Sequence, residues 1–491
     1  MSVIKLYKTQ IGASLVFFIL FMYLAIRYNS DQLILLAGTS LLLIGALVYF
    51  SKWTAWFYQV LLVTLFLSVE IPILSGSRVS LPDEILIIIL STAGLLCLLL
   101  KESIYKTIIR IDLIIIILVH AGMFLISSFF STMQLISFKF SLINILYMSC
   151  GVFTTTILLL QRQITFKKII HIFSIPLAIL CVYTIINFAP HGFSSQASIM
   201  MAQPFFKDHT LLSASISMFI PIYLFYPWIY PKSGTLLKTA AISLAFLLLF
   251  IVVISSSRAA WLSLIIGFIF YLFILMKGSF IRLIQIFSLA IVVSFIYSGE
   301  ILNKLNSNYN SSGSEHASIE EQVLSASNIH SDVSNLERLN RWKCAIRMAQ
   351  DKPIIGFGPG TYQFQYLDYQ LEQDKTSISV NNPFNSKQGY GGSAHSEYFL
   401  VLSEMGILGF ISWVMVLFYT IYSYFRIRNN RWIDRQNILI ADAVTIALIT
   451  FFTHSLFNNF LNSAKTSIPF WILIGFLVFQ TTQLKKHEES N

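Results

Sequence analysis

The chain alternates long apolar runs with short polar breaks along its whole length. Runs of roughly 17–25 apolar residues are long enough to cross a bilayer core as helices. They fall near 11–26, 33–50, 56–74, 85–100, 113–130, 142–160, 169–189, 211–230, 239–255, 259–276, 283–298, 398–425, 438–460 and 467–484. The pattern predicts an all-α fold, a polytopic membrane bundle of about 12–14 transmembrane helices. The first run follows Lys5 and Lys8 as a signal peptide would. It continues into Tyr23-Leu-Ala-Ile-Arg27 with no small-x-small cleavage site, which predicts an uncleaved signal anchor.

One polar segment is large. Eleven spans are expected in residues 1–298, a loop over 299–397, three further spans in 398–484 and a short tail at 485–491. Residues 306–332 are Ser/Asn-rich with few apolar positions and are expected to be flexible. Over 335–350, Leu336, Leu339, Trp342, Ala345, Ile346 and Ala349 recur at helical spacing, which predicts an amphipathic helix flanked by Arg338, Arg341 and Arg347. Pro353 ends it, and IIGFGPGTY predicts a tight loop with exposed backbone amides.

Composition supports this division. Of 491 residues 56% are hydrophobic and 11% charged, with 42 Phe and a mean hydropathy of +0.72. A soluble domain carries about 25% charged residues. The net charge of +10 raises the question of an acidic partner, but no dense Lys/Arg stripe of the kind that binds nucleic acid is present. The basic residues instead mark alternate loops: Lys52, Lys101/Lys106/Arg110, Arg162/Lys167/Lys168, Lys232/Lys238, Lys277/Arg282, Arg426/Arg428/Arg431/Arg435 and Lys485/Lys486. The intervening loops hold only Arg27, Arg78, Lys139, Lys207, Arg258 and Lys465. Under the positive-inside rule this places both termini in the cytoplasm and the large loop outside. The four cysteines form no metal or disulfide pattern.

Charges near the membrane are costly to bury, so those on the outer side ask for an explanation. Arg258, in SSSRAAW between two closely spaced spans, either snorkels or caps a helix, or clamps a phosphate or carboxylate. In AHSEYFLVLSEMGILG, Glu397 and Glu404 stand seven apart, close to two turns, and share a face. His395 and Glu397 either cap the helix N-terminus or supply a base, and Glu404 either bonds a neighbouring helix or joins them. His454 reads as an interhelical hydrogen-bonder and Asn458, Asn459 and Asn462 as helix glue. GFGPG lacks the spacing and the Lys-Ser/Thr of a nucleotide loop. No HExxH or Asp-x-Asp points to a metal. No cofactor is expected.

These three blocks in this order, SSSRAAW, then ERLNRW with KPIIGFGPGTY, then AHSEYFLVLSEMGILG, resemble the O-antigen ligase/polymerase family of bacterial inner-membrane glycosyltransferases. The detailed resemblance covers about residues 240–425. It implies a helical membrane fold with a large periplasmic loop between late spans, acting on undecaprenyl-diphosphate-linked glycans without metal or nucleotide. The family's first basic position falls on Arg258, and its loop arginine, four residues before a Trp, on Arg338 with Trp342 as that Trp. Its motif histidine falls on His395, and its Glu-x-Gly on Glu404 and Gly406. Arg341 is a poorer match to the loop arginine. The chain departs from many ligases in its length, its extra spans and the Ser/Asn-rich stretch. The implied catalytic residues are His395, Arg338 and Arg258, with Arg341, Trp342, Glu397 and Glu404 binding substrate. The arginines would stabilise the diphosphate leaving group and His395 would act as base, with Glu397 or Glu404 setting its tautomer. The implied partners are the lipid-linked donor, lipid A-core or another glycan as acceptor, and membrane lipid. Ligase is the first reading. Polysaccharide polymerase and protein O-oligosaccharyltransferase differ only in acceptor. A transporter, from another class, is expected to show internal repeats and polar residues at mid-membrane.

Overall fold

The computed structural model describes residue 19 and residues 31–490, except 51, 73–77, 195–196, 297–332 and 375–391. The predicted span at 11–26 (residue 19 apart) and the Ser/Asn-rich stretch 306–332 lie outside the described residues. The remaining predicted spans coincide with helices, the one at 56–74 only over its first part. These are α1 (Asp31–Phe50), α2 (Thr54–Thr64), α3 (Asp83–Leu100), α5 (Asp112–Phe129), α6 (Gln134–Leu160), α7 (Phe166–Phe188), α8 (His209–Ile229), α9 (Thr235–Ile254), α10 (Arg258–Leu275), α11 (Phe280–Ile296), α13 (Glu397–Arg428), α14 (Arg435–His454) and α15 (Ala464–Ser490). Two helices are amphipathic connections, the short α4 (Glu102–Ile109) and α12 (Val333–Asp351). Among the described residues, ten helices are long and apolar enough to cross a membrane. The fold is a polytopic helical bundle.

One predicted span is cut short. The run at 56–74 reads as a single helix from hydropathy, yet α2 and its 3-10 extension stop at Leu67, and the chain turns into a hairpin of β1 (Val69–Pro72) and β2 (Arg78–Leu81). Pro72 cannot continue a helical ladder. The buried Ser68 hydroxyl donates back to the Leu65 carbonyl at 2.9 Å and closes the last turn. The hairpin lies beside the first turn of α3, and both its carboxylate, Glu70, and Asp83 of α3 reach the cavity described below.

Packing inside the bundle uses small side chains and hydroxyl pairs, as expected where lipid removes the hydrophobic drive between helices. A π-helical turn in α6 (Ser149–Thr154) lets Gly151 sit against α15, where a Cβ would approach Trp471 to 2.3 Å. Hydroxyl bonds cross the helices at Tyr58–Thr155 (2.6 Å), Ser213–Ser255 (2.6 Å) and Ser215–Thr466 (2.7 Å). α13 packs along α5, and α14 along α8 and α10. α12 lies on the start of α13, where Cys344, Ala345, Met348, Phe357, Tyr362, Tyr366, Ala394 and Leu400 form a second small core.

Candidate active site

The site is assembled on a break in α13. Gly406 has φ 64° and ψ −167° inside the helix, a conformation open essentially to glycine alone. The freed backbone groups are taken by the IIGFGPGTY loop. Ile407 N donates to Pro353 O (2.8 Å), Gly358 N to Glu404 O (2.8 Å) and Phe357 N to Ser403 O (3.2 Å). A Cβ on Gly406 would lie 2.4 Å from the Ile354 carbonyl carbon. Ser127 of α5 donates to both Ile355 O (2.8 Å) and Glu404 O (2.9 Å), so three segments meet at one joint. The Glu404 carboxylate completes it by accepting from Gly360 N (2.8 Å) and Tyr362 N (2.9 Å).

Above this joint the chain enters α13 through Gly392–Ser396. Arg341 of α12 fixes that entry. Its Nε donates to Glu337 Oε1 at 2.9 Å in a buried pair, its Nη1 donates to Ser393 O at 2.9 Å, and its guanidinium lies 4.9 Å over the Tyr366 ring. Trp342 stacks on Phe399 at 5.1 Å and donates from Nε1 to the His395 carbonyl at 3.4 Å. His395 itself is held at φ 50°. That left-handed conformation costs a side-chain-bearing residue about 1–2 kcal/mol, and the contacts from Arg341 and Trp342 offset it.

The His395 ring opens on a cavity of about 430 Å3, lined also by Glu70, Asp83, Lys207, Asp208, Asn458 and Lys465 among others. Burial pushes the imidazole down to about 3, helped by the positive charges of Arg341 and Arg338 and opposed by Asp208 and by a hydrogen bond with Asn458. The ring is therefore neutral at physiological pH. Arg338, one turn into α12, exerts its charge on His209 and His454 as well as His395. Asn458 donates from Nδ2 towards His454 Nε2 at 3.2 Å, so it links the two imidazoles. On the far wall the Lys465 ammonium donates to Ser68 O (2.7 Å) and to Phe205 O, and lies 4.8 Å over the Phe206 ring.

The residues singled out in the sequence thus divide by position. His395 lines the cavity and Arg338 acts on its ring. Arg258 begins α10, half-buried, beside the turn whose Ser255 bonds Ser213. Ser213 in turn donates to the His209 carbonyl (2.7 Å), so Arg258 stands near the start of α8 without lining the cavity. Arg341 and Trp342 hold the backbone on either side of His395. The two glutamates do face one small void of about 20 Å3, with His120. Their carboxylates are engaged elsewhere, Glu404 by the loop amides and Glu397 by Leu461 N at 2.8 Å. The expectation that one of them orients the His395 ring is corrected: its partner is Asn458. A buried carboxylate is stabilised most by backbone N–H donors, and here such donors lie nearer than the imidazole. Asp83, Asp208, Asn458 and Lys465 were not recognised as site residues. The available signal was the same one that drew attention to Arg258, namely charge at the mouth of a span, in LPDEIL and FFKDHT.

Among the described residues no group of three or more His, Cys, Asp or Glu side chains is placed to hold a metal ion. The hydrogen-bonding capacity of the cavity is mixed. It carries carboxylates and amide oxygens as acceptors, ammonium groups and amide nitrogens as donors, and one neutral imidazole. That mixture suits a polyhydroxyl ligand.

A comparison with curated proteins gives no match. Residues 243–414 match the family model described as O-antigen ligase, a segment that runs from the middle of α9 through α12 and His395 to the middle of α13. The match contains Arg258, Arg338, His395, Glu404 and Gly406, and over this segment the chain is similar to the O-antigen ligase family.

Proposed function

We propose that the protein transfers a glycan from undecaprenyl diphosphate to an acceptor hydroxyl at the periplasmic face of the bacterial inner membrane, and that it is an O-antigen ligase whose acceptor is lipid A-core. The observation that carries this reading is the neutral His395 ring on the wall of a 430 Å3 cavity with the Arg338 charge acting on it. In the reaction the acceptor oxygen forms a bond to the anomeric carbon as that carbon's bond to the diphosphate oxygen breaks. The hydroxyl proton passes to His395, and undecaprenyl diphosphate leaves with the negative charge. Arg338 supplies a fixed cation for that charge, and a preorganised donor of this kind is typically worth about 3 kcal/mol, or a hundredfold in rate; Arg258, which does not line the cavity, could act on the donor only from outside it.

The electrostatics support the order of events. Without ligand, burial first and the Arg341 and Arg338 charges after it keep the imidazole unprotonated. A bound diphosphate offsets the Arg338 charge and raises the affinity of His395 for a proton when the acceptor hydroxyl has one to give. The reaction draws its energy from the donor's own diphosphate bond, and the absence of a nucleotide loop in the sequence agrees with that.

The test is glycan transfer by purified protein in nanodiscs, with undecaprenyl-diphosphate-linked glycan and either lipid A-core or further donor as acceptor. Transfer to lipid A-core supports a ligase, and lengthened lipid-linked chains support a polymerase instead. Full transfer by Arg338→Ala and His395→Ala would overturn the assignment of the site.

A further inference from the structure

The cavity has a second wall that the proposed chemistry does not use. Asp83 begins α3 directly after the β-hairpin, is fully buried and lines the cavity. Neither of its carboxylate oxygens completes a hydrogen bond by distance and angle, although the Ser80 and Ser68 hydroxyls and the Lys465 ammonium stand close enough to act on its charge. The nearest hydroxyls are already committed, since Ser80 Oγ donates to Ser68 Oγ (3.2 Å) and Ser68 Oγ donates to Leu65 O (2.9 Å). No ion pair joins Asp83 to Lys465, whose ammonium is held by two backbone carbonyls. A buried carboxylate with idle acceptor sites is costly and is rarely retained unless a ligand supplies the donors. Glu84, half-buried, and Glu70 of the hairpin line the same wall.

We propose that this Asp83 wall is the acceptor subsite of the cavity, taking the hydroxyl groups of the acceptor sugar while the His395 wall takes the reacting end of the donor. The inference rests on the glycosyl-transfer reading above and deepens it. Three features point to sugar hydroxyls. A carboxylate accepts from two vicinal hydroxyls at once. The same cavity is lined by the Lys207 ammonium, the Asn462 amide and Lys465, whose ammonium keeps one N–H beyond its two backbone bonds, and these can serve the oxygens of the same sugar. Finally, Asp83 and His395 border one continuous space, so a sugar bound at Asp83 can present a further hydroxyl to the imidazole. Asp83 on this account is a positioning residue and takes no proton.

Asp83→Asn keeps the shape and removes the charge. The measurement pairs two readouts on protein in nanodiscs: binding of core oligosaccharide released from rough lipopolysaccharide, by calorimetry, and two-substrate transfer kinetics. We expect oligosaccharide affinity to fall about tenfold or more and the KM for lipid A-core to rise by a similar factor. The KM for the lipid-linked donor and kcat should stay near wild type. The unfolding temperature should hold or rise, because the substitution relieves an unsatisfied buried charge; a purely structural carboxylate would lower it. Unchanged oligosaccharide affinity and acceptor KM overturn the subsite, as does wild-type protein that binds no oligosaccharide. Asp83-dependent oligosaccharide binding by wild-type protein that transfers nothing upholds the subsite and removes the transfer reading alone. Should Asp83→Asn fail to fold, Glu84→Gln on the same wall is expected to raise the acceptor KM about threefold, and an unchanged KM overturns the proposal.

Discussion

Glu404 offers a direct measure of how the site is held. Its carboxylate accepts from Gly360 N at 2.8 Å and Tyr362 N at 2.9 Å, which ties the loop carrying the small α12 core to α13. Each such hydrogen bond contributes about 1 kcal/mol net, and a buried N–H left without its acceptor costs about 1–3 kcal/mol more. Glu404→Gln preserves the volume, keeps one acceptor oxygen at neutral strength of about 1 kcal/mol, and turns an amide NH2 towards the second N–H. The net loss is about 3 kcal/mol. At 1.4 kcal/mol per tenfold, that is roughly a hundredfold in the opening equilibrium of the loop. Hydrogen–deuterium exchange of a peptide spanning 354–365 in nanodiscs reads this equilibrium, since amides on an otherwise stable frame exchange through local opening. The expected result is exchange of Gly360 and Tyr362 faster by about two orders of magnitude, with little change in α14 and α15. Wild-type exchange at those amides would refute the clamp and return Glu404 to a direct role at the substrate.

Three further outcomes follow from the same geometry. Gly406→Ala forces a Cβ to within 2.4 Å of the Ile354 carbonyl carbon and a side chain into a glycine-only conformation; we expect a loss of at least about 3 kcal/mol, seen as poor recovery of monodisperse protein, whereas Gly38→Ala, which meets nothing within 4 Å, should be silent. Arg341→Met leaves Glu337 charged and buried and is expected to cost about 3–5 kcal/mol, while the double variant with Glu337→Gln recovers much of it in thermal unfolding; additive losses would argue against the pair. His395 has its folded pKa lowered to about 3 from an ordinary 6.5. Between those values the unfolded chain binds the proton and the folded one does not, so stability falls as pH drops from about 6.5, by up to about 1.4 kcal/mol per unit. His395→Asn should reduce that dependence by one proton's share in denaturation curves at pH 5 and 7, and an unchanged slope counts against the buried ring.

Much of this was readable before any coordinates. A helix that spans lipid must satisfy its backbone within its own residues and present apolar side chains outward, so hydropathy locates α3, α5 to α11 and α13 to α15 almost directly, periodicity alone places α12 at Val333–Asp351 against an expected 335–350, and the short α4 falls where a loop is expected. The same rule fails at 56–74. A hydropathy window averages over Ser68, Glu70 and Pro72 and does not register that the chain leaves the helix at Leu67 to form the hairpin. His395 was legible because a histidine stands out at the mouth of a span, whereas Arg338 and Gly406 were marked by the resemblance to the O-antigen ligase/polymerase family.

The roles were less legible than the positions. A carboxylate's function depends on which donors surround it, and for Glu404 these come from Gly360 and Tyr362, more than forty residues away in sequence. Asp83 and His395 are separated by most of the chain and meet only because α3, α8, the α13 entry and the α14–α15 connection converge on one cavity. The sequence by itself determined that this protein is a membrane helical bundle with a basic and imidazole-bearing loop region, because those properties are local sums over residue type and spacing. Only the tertiary structure decided which charges are committed to holding the fold and which face empty space, because hydrogen-bond satisfaction is set by partners brought together through long-range packing.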